Sequence, residues 1–275
     1  MKRSRAWHLL VPLMTVGALI CAGAAPASAG TAPATTTPSS TTPNTTAAGD
    51  SGTYTNPVTL ADVPDLDVAY DGHAYYMVST TMHMAPGVPI MRSTDLVHWS
   101  IVDYAGPILA DTDALALRNG QNAYSQGSWA ASIKFHNGTY YISVGSLTTG
   151  KTYIYSTPNI ENGPWTRSVL EGYDHDQSLL FDGDTMYLVY GGGQVILRTL
   201  QQNADGTVGY AVDPVTLVDN ANVDMTAGLN AEGSHAYKIG DYYYVFMIEW
   251  PSGGIRQEVV WRSTSLTPQS QGGIW

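Results

Sequence analysis

Three short acidic motifs, each placed at the start of a strand-like segment, contain the residues of this chain best suited to chemistry. They are Pro64-Asp65-Leu66-Asp67-Val68, His175-Asp176-Gln177-Ser178-Leu179 and Ala231-Glu232-Gly233-Ser234-His235. One acid at the same place in successive copies of one structural unit implies that several carboxylates converge on one centre. Paired carboxylates at a common centre are what cleavage of a glycosidic bond requires.

The acidic motifs belong to a repeated β-unit that must position them. Each acid is followed, seven or eight residues later, by a turn glycine, which is Gly72, Gly183 or Gly240. A strand rich in Tyr, Met and Val comes next in each case. From Ser51 onward, strand-like runs alternate with Asp-Gly, Asn-Gly and Pro-containing turns, and no long amphipathic helix is predicted.

Four copies of this unit are visible along the chain. The first runs from Asp65 to Trp99, and the second begins at Trp129 with the turn Asn137-Gly138 but without an acid. Four-stranded sheets repeated around an axis form a β-propeller, so the predicted fold class is all-β. Ring closure is then what brings Asp65, early in the chain, to face Glu232, which comes late.

The first part of the chain is not predicted to belong to the propeller. A basic start, an apolar run from Leu9 to Cys21 and a stretch of small residues predict a secretory signal peptide over residues 1–29. Residues 30–52 are rich in Thr, Pro, Ala, Ser and Gly, and they predict a disordered linker. The propeller domain is therefore expected over residues 53–275, outside the cell.

Composition narrows the range of partners. The net charge is −11, and loss of three basic residues with the signal peptide leaves −14. Such a charge argues against nucleic acid and anionic membranes, whereas it suits a neutral polysaccharide or oligosaccharide. Cys21 is the only cysteine, so the mature chain has no disulfide. We expect a monomer without membrane contact after signal cleavage.

Taken together, the motifs resemble glycoside hydrolase family 43, which includes arabinanases and β-xylosidases. The resemblance covers about Tyr54 to Ile274 and implies a five-bladed β-propeller, of which about four blades are present in this chain. A C-terminally incomplete ring is therefore expected, and we expect it to impair activity. The stretches that carry the resemblance are Asn56–Val58, Pro64–Val68, Thr80–Ile90, Gly127–Ile133 and Ala231–His235.

The resemblance also implies roles for three acids in hydrolysis with inversion. Asp65 falls on the general base, Glu232 on the general acid, and Asp176 on a second aspartate that modulates and orients the acid. In an inverting enzyme the base and the acid stand about 6.5–9.5 Å apart, which admits the attacking water. Asp67 is the competing candidate for the base, and Asp176 could instead cap a turn of its blade.

Two further residues are candidate substrate contacts. Trp129 stands where the second unit has no acid, and it could offer an apolar face to a sugar or pack between blades. His83 could bond a sugar hydroxyl, or it could be an ordinary surface or core histidine. His175 and His235 flank acids, but their spacing matches no zinc signature. We therefore expect no metal ion or other cofactor to be required, and the resemblance allows a structural calcium.

Two functions of different classes fit these observations. The first is an inverting glycoside hydrolase that cleaves xylosidic or arabinofuranosidic bonds in plant cell-wall polysaccharides or their oligosaccharides. The second is a non-catalytic, secreted carbohydrate-binding propeller. Three separate acids favour the hydrolase, because a binding protein has no need of them. The choice between xylose and arabinose, and between exo and endo action, stays open at this point.

Overall fold

The structure is a computed structural model that describes residues 53–83, 87–106, 109–224 and 228–275. Across these ranges the chain forms sixteen β-strands and one short 3-10 helix, Gln269–Gln271. The predicted signal peptide and linker lie outside the described residues. No helix in the described ranges has the length and apolar character needed to cross a bilayer.

The strands form four antiparallel sheets that follow one another along the chain as the blades of a propeller. In order, they are β1 (Asp67–Tyr70), β2 (Tyr75–Val78), β3 (Val88–Ser93), β4 (Ser100–Ala105), β5 (Ser128–His136), β6 (Thr139–Ser146), β7 (Lys151–Thr157), β8 (Thr166–Glu171), β9 (Ser178–Asp182), β10 (Thr185–Tyr190), β11 (Val195–Gln202), β12 (Val208–Tyr210), β13 (Val215–Val218), β14 (Gly228–Ile239), β15 (Tyr242–Pro251) and β16 (Gln257–Ser263). The blades contain β1–β4, β5–β8, β9–β13 and β14–β16, with β1, β5, β9 and β14 as first strands. The all-β propeller prediction is confirmed for four blades, and the five-blade count stays a prediction.

The turn glycines predicted from the repeat join the first two strands of each blade. Gly72, Gly138, Gly183 and Gly240 have φ angles of 97°, 77°, 55° and 58°. Glycine adopts this left-handed region with little strain because it has no Cβ. The repeat in the sequence therefore corresponds to four real hairpins.

The outer edges of the blades depart from the repeat. The first blade continues beyond Trp99 into β4, because the segment before it is a turn rather than a strand. The Asp95 carboxylate accepts the N–H groups of Val97 and His98 there, at 2.9 and 2.8 Å. In the third blade the outer strand is split into β12 and β13, which both pair with β11. Within the described residues, the fourth blade has three strands.

Apolar clusters between the sheets hold successive blades together. Ile90 and Ile133 are fully buried between the first and second blades, Leu188 between the second and third, and Leu217 in the cluster of the third and fourth. Complete burial of such a side chain contributes about 1.5–3 kcal/mol. The clusters thereby place the first strands of the blades side by side.

Hydrogen bonds also link the first strands, and they involve one position in each blade. A side-chain oxygen at that position accepts a backbone N–H from the next blade. The donor and acceptor pairs are Ile133 and Asp67 (2.9 Å), Leu179 and Ser132 (3.1 Å), and Ala236 and Ser178 (3.0 Å). In the fourth blade, where β14 shifts register between Glu232 and His235, we assign Ser234 to this position, because it is buried and its Oγ has no hydrogen-bond partner among the described residues. We call residues 67, 132, 178 and 234 the inner ring.

Candidate active site

A cavity of about 210 Å³ lies where the first strands of the blades begin. All four blades contribute to its wall, as expected for a site on the axis of a propeller. The lining residues are Asp65, Ala130, Ala131, Ser132, Asp176, Gln177, Gly233, Ser234, His235, Ile248 and Arg256.

The acids occupy equivalent positions, each two residues before a member of the inner ring. Counting back from residues 67, 132, 178 and 234 gives Asp65, Ala130, Asp176 and Glu232. We call these four the cavity positions. The residue of the second blade that replaces the acid is therefore Ala130, and Trp129 precedes it.

Two of the acids are directed by an unusual backbone conformation. Asp65 has a φ angle of 50° and Asp176 of 46°, in the left-handed region. Aspartate enters this region more readily than most residues do. A residue held there costs about 1–3 kcal/mol, and such residues cluster at functional sites. The same local turn thus precedes β1 and β9 and presents one carboxylate from each blade to the cavity.

Glu232 is directed differently, from inside a strand. Its strand β14 begins at Gly228, because that residue and Leu229 still pair with the end of β15. The prediction that Glu232 begins a strand was therefore wrong. The pairing of β14 with β15 shifts register on both sides of Glu232. A bulge of this kind changes the direction of a side chain at the rim of a sheet.

The carboxylates of Asp176 and Glu232 are drawn together around one imidazole. His175 Nε2 lies 3.0 Å from Glu232 Oε2 and 3.5 Å from Asp176 Oδ2. The N–H of Gly233 donates to Asp176 Oδ2 at 3.1 Å. Glu232 is not itself a lining residue, although Gly233 and Ser234 are. The Asp176 and Glu232 side chains are 13% and 26% exposed, so water still reaches both.

The environment of Asp176 favours its protonated form. Burial is the largest cause that raises its pKa, and the charges of Glu232 and Asp65 raise it further. The His175 charge and the Gly233 N–H oppose this rise without cancelling it. Like-charge repulsion among three acids from three blades shows that they share one electrostatic environment.

Asp65 is exposed at the cavity and faces a cation. Partial loss of water raises the pKa of its carboxyl, and the charges of Glu232 and Asp62 add to this. Arg256, which also lines the cavity, acts in the opposite direction. Asp65 therefore stands near both a positive and a negative group.

Asp67, the competing candidate for the base, has a structural environment. Its side chain is 1% exposed and pairs with Lys134 Nζ at 3.1 Å and His235 Nδ1 at 3.4 Å. It also accepts hydrogen bonds from Ser132 Oγ and the Ile133 N–H, both at 2.9 Å. Burial alone would raise its pKa, but Lys134, His235 and the Ile133 N–H hold the pKa well below its usual range. Asp67 is thus kept as an anion between blades.

The two predicted substrate contacts are not lining residues of the cavity. Trp129 is half-buried, and its indole Nε1 is buried without a hydrogen-bond partner among the described residues. His83 stacks on Tyr124 with ring centroids 4.5 Å apart. Its Nδ1 accepts the Ser125 N–H at 2.9 Å. Their roles in substrate binding stay predictions.

Gln177 and Arg256 are among the lining residues of the cavity that the sequence analysis missed. Gln177 is buried and donates from Nε2 to the Ala130 carbonyl at 3.1 Å, which ties the third blade to the second. Its place directly after Asp176 was a usable signal. Arg256 lies on the loop between β15 and β16. Nothing in the repeat points to it.

One group of side chains is compact enough to hold a metal ion. In the described ranges, His175, Asp176 and Glu232 each place one possible ligand atom within 4.8 Å of the others. Acidic clusters of this size are common without an ion, and no second feature of the described residues points to one here. We therefore assign no metal to it. The expectation that no cofactor is required, with a structural calcium allowed, stays a prediction.

Comparison with known proteins gives a consistent result. A family described as "Glycosyl hydrolases family 43" matches residues 54–271. A beta-xylosidase from Formosa agariphila is 30% identical over 212 residues, which is 74% of this chain and 35% of that protein. A non-reducing end alpha-L-arabinofuranosidase from Bacteroides ovatus is 32% identical over 219 residues, which is 78% of this chain and 39% of that protein.

A solved structure agrees with this match. It is described as a bifunctional GH43-CE protein from Bacteroides eggerthii and superposes with a TM-score of 0.72 at 44% identity. The alignment covers 78% of this chain and 28% of that one. The chain thus spans less than two fifths of the length of the curated relatives named above.

Proposed function

Because the chain belongs to glycoside hydrolase family 43, we propose that it contains the catalytic propeller of an inverting, secreted glycoside hydrolase. Its substrates would be xylosidic or arabinofuranosidic bonds in plant cell-wall polysaccharides or their oligosaccharides. The relatives named as a beta-xylosidase and an alpha-L-arabinofuranosidase support this substrate class.

One observation carries the proposal. Asp65 and Asp176 line one cavity, Glu232 lies directly before the lining residue Gly233, and the three acids come from three blades. The charges of Glu232 and Asp65 raise the pKa of Asp176, and the Glu232 charge also raises that of Asp65. A purely structural acid would be paired and buried, as Asp67 is, whereas Asp65, Asp176 and Glu232 remain accessible. Accessible carboxylates crowded against one another favour proton transfer.

Asp65 is proposed as the general base. It takes a proton from a water molecule, which then attacks the anomeric carbon from the side opposite the leaving group. Its ordinary state must therefore be ionised. The positive charge of Arg256, which counteracts the loss of water around Asp65, supports that state.

Glu232 is proposed as the general acid, with Asp176 as its modulator. Glu232 gives its proton to the glycosidic oxygen while the bond to the sugar breaks, so that the leaving alcohol departs neutral. The carboxylates of Asp176 and Glu232 both lie against His175 Nε2, at 3.5 and 3.0 Å, which supports this pairing. The exchange is complete when the proton taken up by Asp65 returns to solvent and Glu232 is reprotonated.

The size of the cavity favours a small part of the substrate. Pockets that enclose drug-sized ligands have volumes of about 300–1,000 Å³, and this cavity has about 210 Å³. It therefore suits one sugar ring better than a run of several. That favours release of single pentose units from a chain end.

A substrate screen with matched variants tests the proposal. The chain is assayed with nitrophenyl xyloside, nitrophenyl arabinofuranoside and arabinan, beside D65N, D176N and E232Q. We expect hydrolysis of a pentoside, loss of turnover in D65N, a loss in E232Q that is largest where the leaving group is a sugar, and retained ligand affinity in E232Q. Binding of xylo- or arabino-oligosaccharides without hydrolysis, unchanged by E232Q, would instead show a carbohydrate-binding propeller.

The stereochemistry is tested by proton NMR of the first product. An inverting enzyme releases the anomer opposite to that of the substrate, before mutarotation mixes the two. Release of the same anomer would refute the roles proposed for Asp65 and Glu232. A retaining mechanism needs a nucleophile in place of a base.

A further inference from the structure

His175 differs in kind from the residues at the same position of the other blades. The residue directly before each cavity position is Pro64, Trp129, His175 or Ala231. The histidine alone among these four can donate a hydrogen bond at one ring nitrogen and accept one at the other. It therefore adds a titratable group to the blade that also carries Asp176.

Both ring nitrogens of His175 have partners. Nε2 lies 3.0 Å from Glu232 Oε2, and Nδ1 lies 3.2 Å from the hydroxyl of Tyr173. The tyrosine ring in turn packs against Gly145 of β6, where a Cβ would come within 2.6 Å of it. Gly145 thus leaves room for Tyr173, and Tyr173 fixes the direction of the imidazole.

The contact distinguishes the two oxygens of Glu232. Oε2 is tied to His175, whereas no hydrogen bond to Oε1 is present among the described residues. A carboxylic acid that must deliver its proton needs one oxygen held and the other free. The geometry leaves Oε1 as the oxygen that can carry the proton.

We propose that His175, held by Tyr173, is a positioning residue for the general acid. Its Nε2–H holds Glu232 Oε2 and leaves Oε1 to protonate the glycosidic oxygen. This inference rests on the proposed function of Glu232. It names a residue that neither the repeat nor the paired-acid pattern assigns to catalysis.

The proposed step balances in atoms and charge. The proton moves from Glu232 Oε1 to the glycosidic oxygen, which also receives the electron pair of the breaking C–O bond. Water forms the new bond at the anomeric carbon and loses its proton to Asp65. Glu232 becomes negative beside Asp176, and the Nε2–H of His175 stabilises that developing charge. Donors aimed at charge that develops in the transition state are especially effective.

The electrostatics of the imidazole agree with this geometry. The hydrogen bond with Glu232 raises the pKa of His175, and burial acts against it. The charges of Asp176 and Glu232 raise the pKa further. The imidazole is therefore a better donor here than an ordinary surface histidine.

The leaving group provides a test that a merely structural role would not pass. Dinitrophenyl xyloside has a leaving group that departs without a proton, whereas xylobiose needs one from the acid. If the chain prefers arabinose, the corresponding arabinofuranosides replace them. Since a hydrogen bond to a charged group contributes about 1.5–3 kcal/mol, we expect H175A to lower kcat on the disaccharide by about 10- to 100-fold. On the dinitrophenyl glycoside, kcat of H175A should differ from that of wild type by less than about threefold.

Three variants sharpen this test. H175Q keeps a donor near Nε2 and should recover part of the loss, and Y173F should show a smaller loss in the same direction. H98A, on a turn of the first blade, is the matched control and should behave as wild type. An equal loss on both substrates in H175A, or no loss on either, overturns the inference.

E232Q separates failure of the inference from failure of the proposed function. If E232Q shows the loss confined to the disaccharide and H175A does not, Glu232 is the acid and His175 does not position it. If E232Q loses both activities equally, Glu232 is not the acid, and the proposed function and the inference fall together.

NMR of nitrogen-15-labelled histidine gives a readout that is independent of turnover. H175A assigns the ring signals of His175. We expect these signals to change in both E232Q and Y173F but not in H98A. His175 signals that stay unchanged in E232Q would overturn the inference even if the chain hydrolysed nothing.

Discussion

Two layers of side chains lie two residues apart in each blade, in its first strand or just before it, and their environments are opposite. The cavity positions, residues 65, 130, 176 and 232, hold three accessible acids that repel one another. The inner ring, residues 67, 132, 178 and 234, holds one buried acid and three buried hydroxyl groups. At residues 67, 132 and 178 these groups accept hydrogen bonds from the next blade.

The comparison shows how one propeller separates chemistry from stability. Asp65 and Asp176 stand in left-handed turns, whereas Asp67 and Ser178 are the first residues of β1 and β9, so the two layers differ in local backbone as well as in burial. In the outer layer, the carboxylates stay accessible to water and lie close to one another, so that they can exchange a proton. In the inner layer, Lys134 and backbone N–H groups stabilise the carboxylate of Asp67, which therefore stays ionised. We therefore propose that the same residue type serves catalysis at position 65 and stability at position 67.

The largest expected effect comes from neutralising the outer acid of the first blade. D65N should lower kcat by about 10²- to 10⁴-fold, the range typical of a lost general base. Its free energy of unfolding should stay the same or rise. The pKa of Asp65 is raised in the folded protein, so its ionised form costs stability above the unfolded pKa, and asparagine removes that cost. Enzyme kinetics and denaturant titration at neutral pH measure both quantities.

The same substitution two residues later should have the reverse pattern. D67N leaves Lys134, which is 15% exposed, without its anionic partner. Removing one partner of a buried ion pair costs about 3–5 kcal/mol of unfolding free energy. Because the pKa of Asp67 is lowered in the folded state, its contribution is present above the unfolded pKa of about 3.9 and is lost as the pH falls below it. Denaturant titrations at several pH values should show that loss in wild type and not in D67N.

The opposite assignment of the two layers would follow if each variant showed the result expected of the other. Loss of turnover in a stable D67N, together with unfolding of D65N, would identify Asp67 as the base. D65N is thus the matched control for D67N, since it makes the same chemical change two residues away in the same segment.

The inner ring offers a smaller test within itself. Ser178 accepts the Ala236 N–H at 3.0 Å, whereas the buried Oγ of Ser234 has no partner among the described residues. S178A leaves a buried N–H unsatisfied and should cost about 1–3 kcal/mol of unfolding free energy. S234A removes a hydroxyl that is already unpaired and should change it by less than about 0.5 kcal/mol. Equal losses in the two variants would show that Ser234 has a bond equivalent to that of Ser178.

Much of the outer layer follows from the sequence. The spacing from acid to turn glycine predicted three hairpins, the turn Asn137-Gly138 predicted a fourth, and the repeat predicted that Asp65, Asp176 and Glu232 converge on one axis. The second layer was not predicted, because the sequence analysis treated Asp67 only as the competing candidate for the base.

The different environments of the two layers could not be predicted from the sequence, because they depend on contacts between blades. Asp65 and Asp67 are the same residue type in one motif, and the difference is made by Lys134, which arrives from the second blade. Arg256 reaches the cavity from a loop of the fourth blade that has no counterpart in the repeat. The outer strand β4 was missed because it follows a turn with its own side-chain hydrogen bonds.

The smallest expected effect concerns Arg256, on the loop between β15 and β16. It is a shift in the pH dependence of activity. The charge of Arg256 lowers the pKa of Asp65 against the effect of lost water. In R256Q the carboxylate loses this stabilisation, so its pKa should rise, and the acidic limb of kcat/KM should move to higher pH. The residue is exposed, and salt screens exposed charges. High ionic strength should therefore move the wild-type limb in the same direction and leave R256Q nearly unchanged.

R262Q is the matched control, because Arg262 lies over the ring of Tyr242 at 4.6 Å and does not line the cavity. An acidic limb that does not move in R256Q would show that the cavity acids tune one another without the cation.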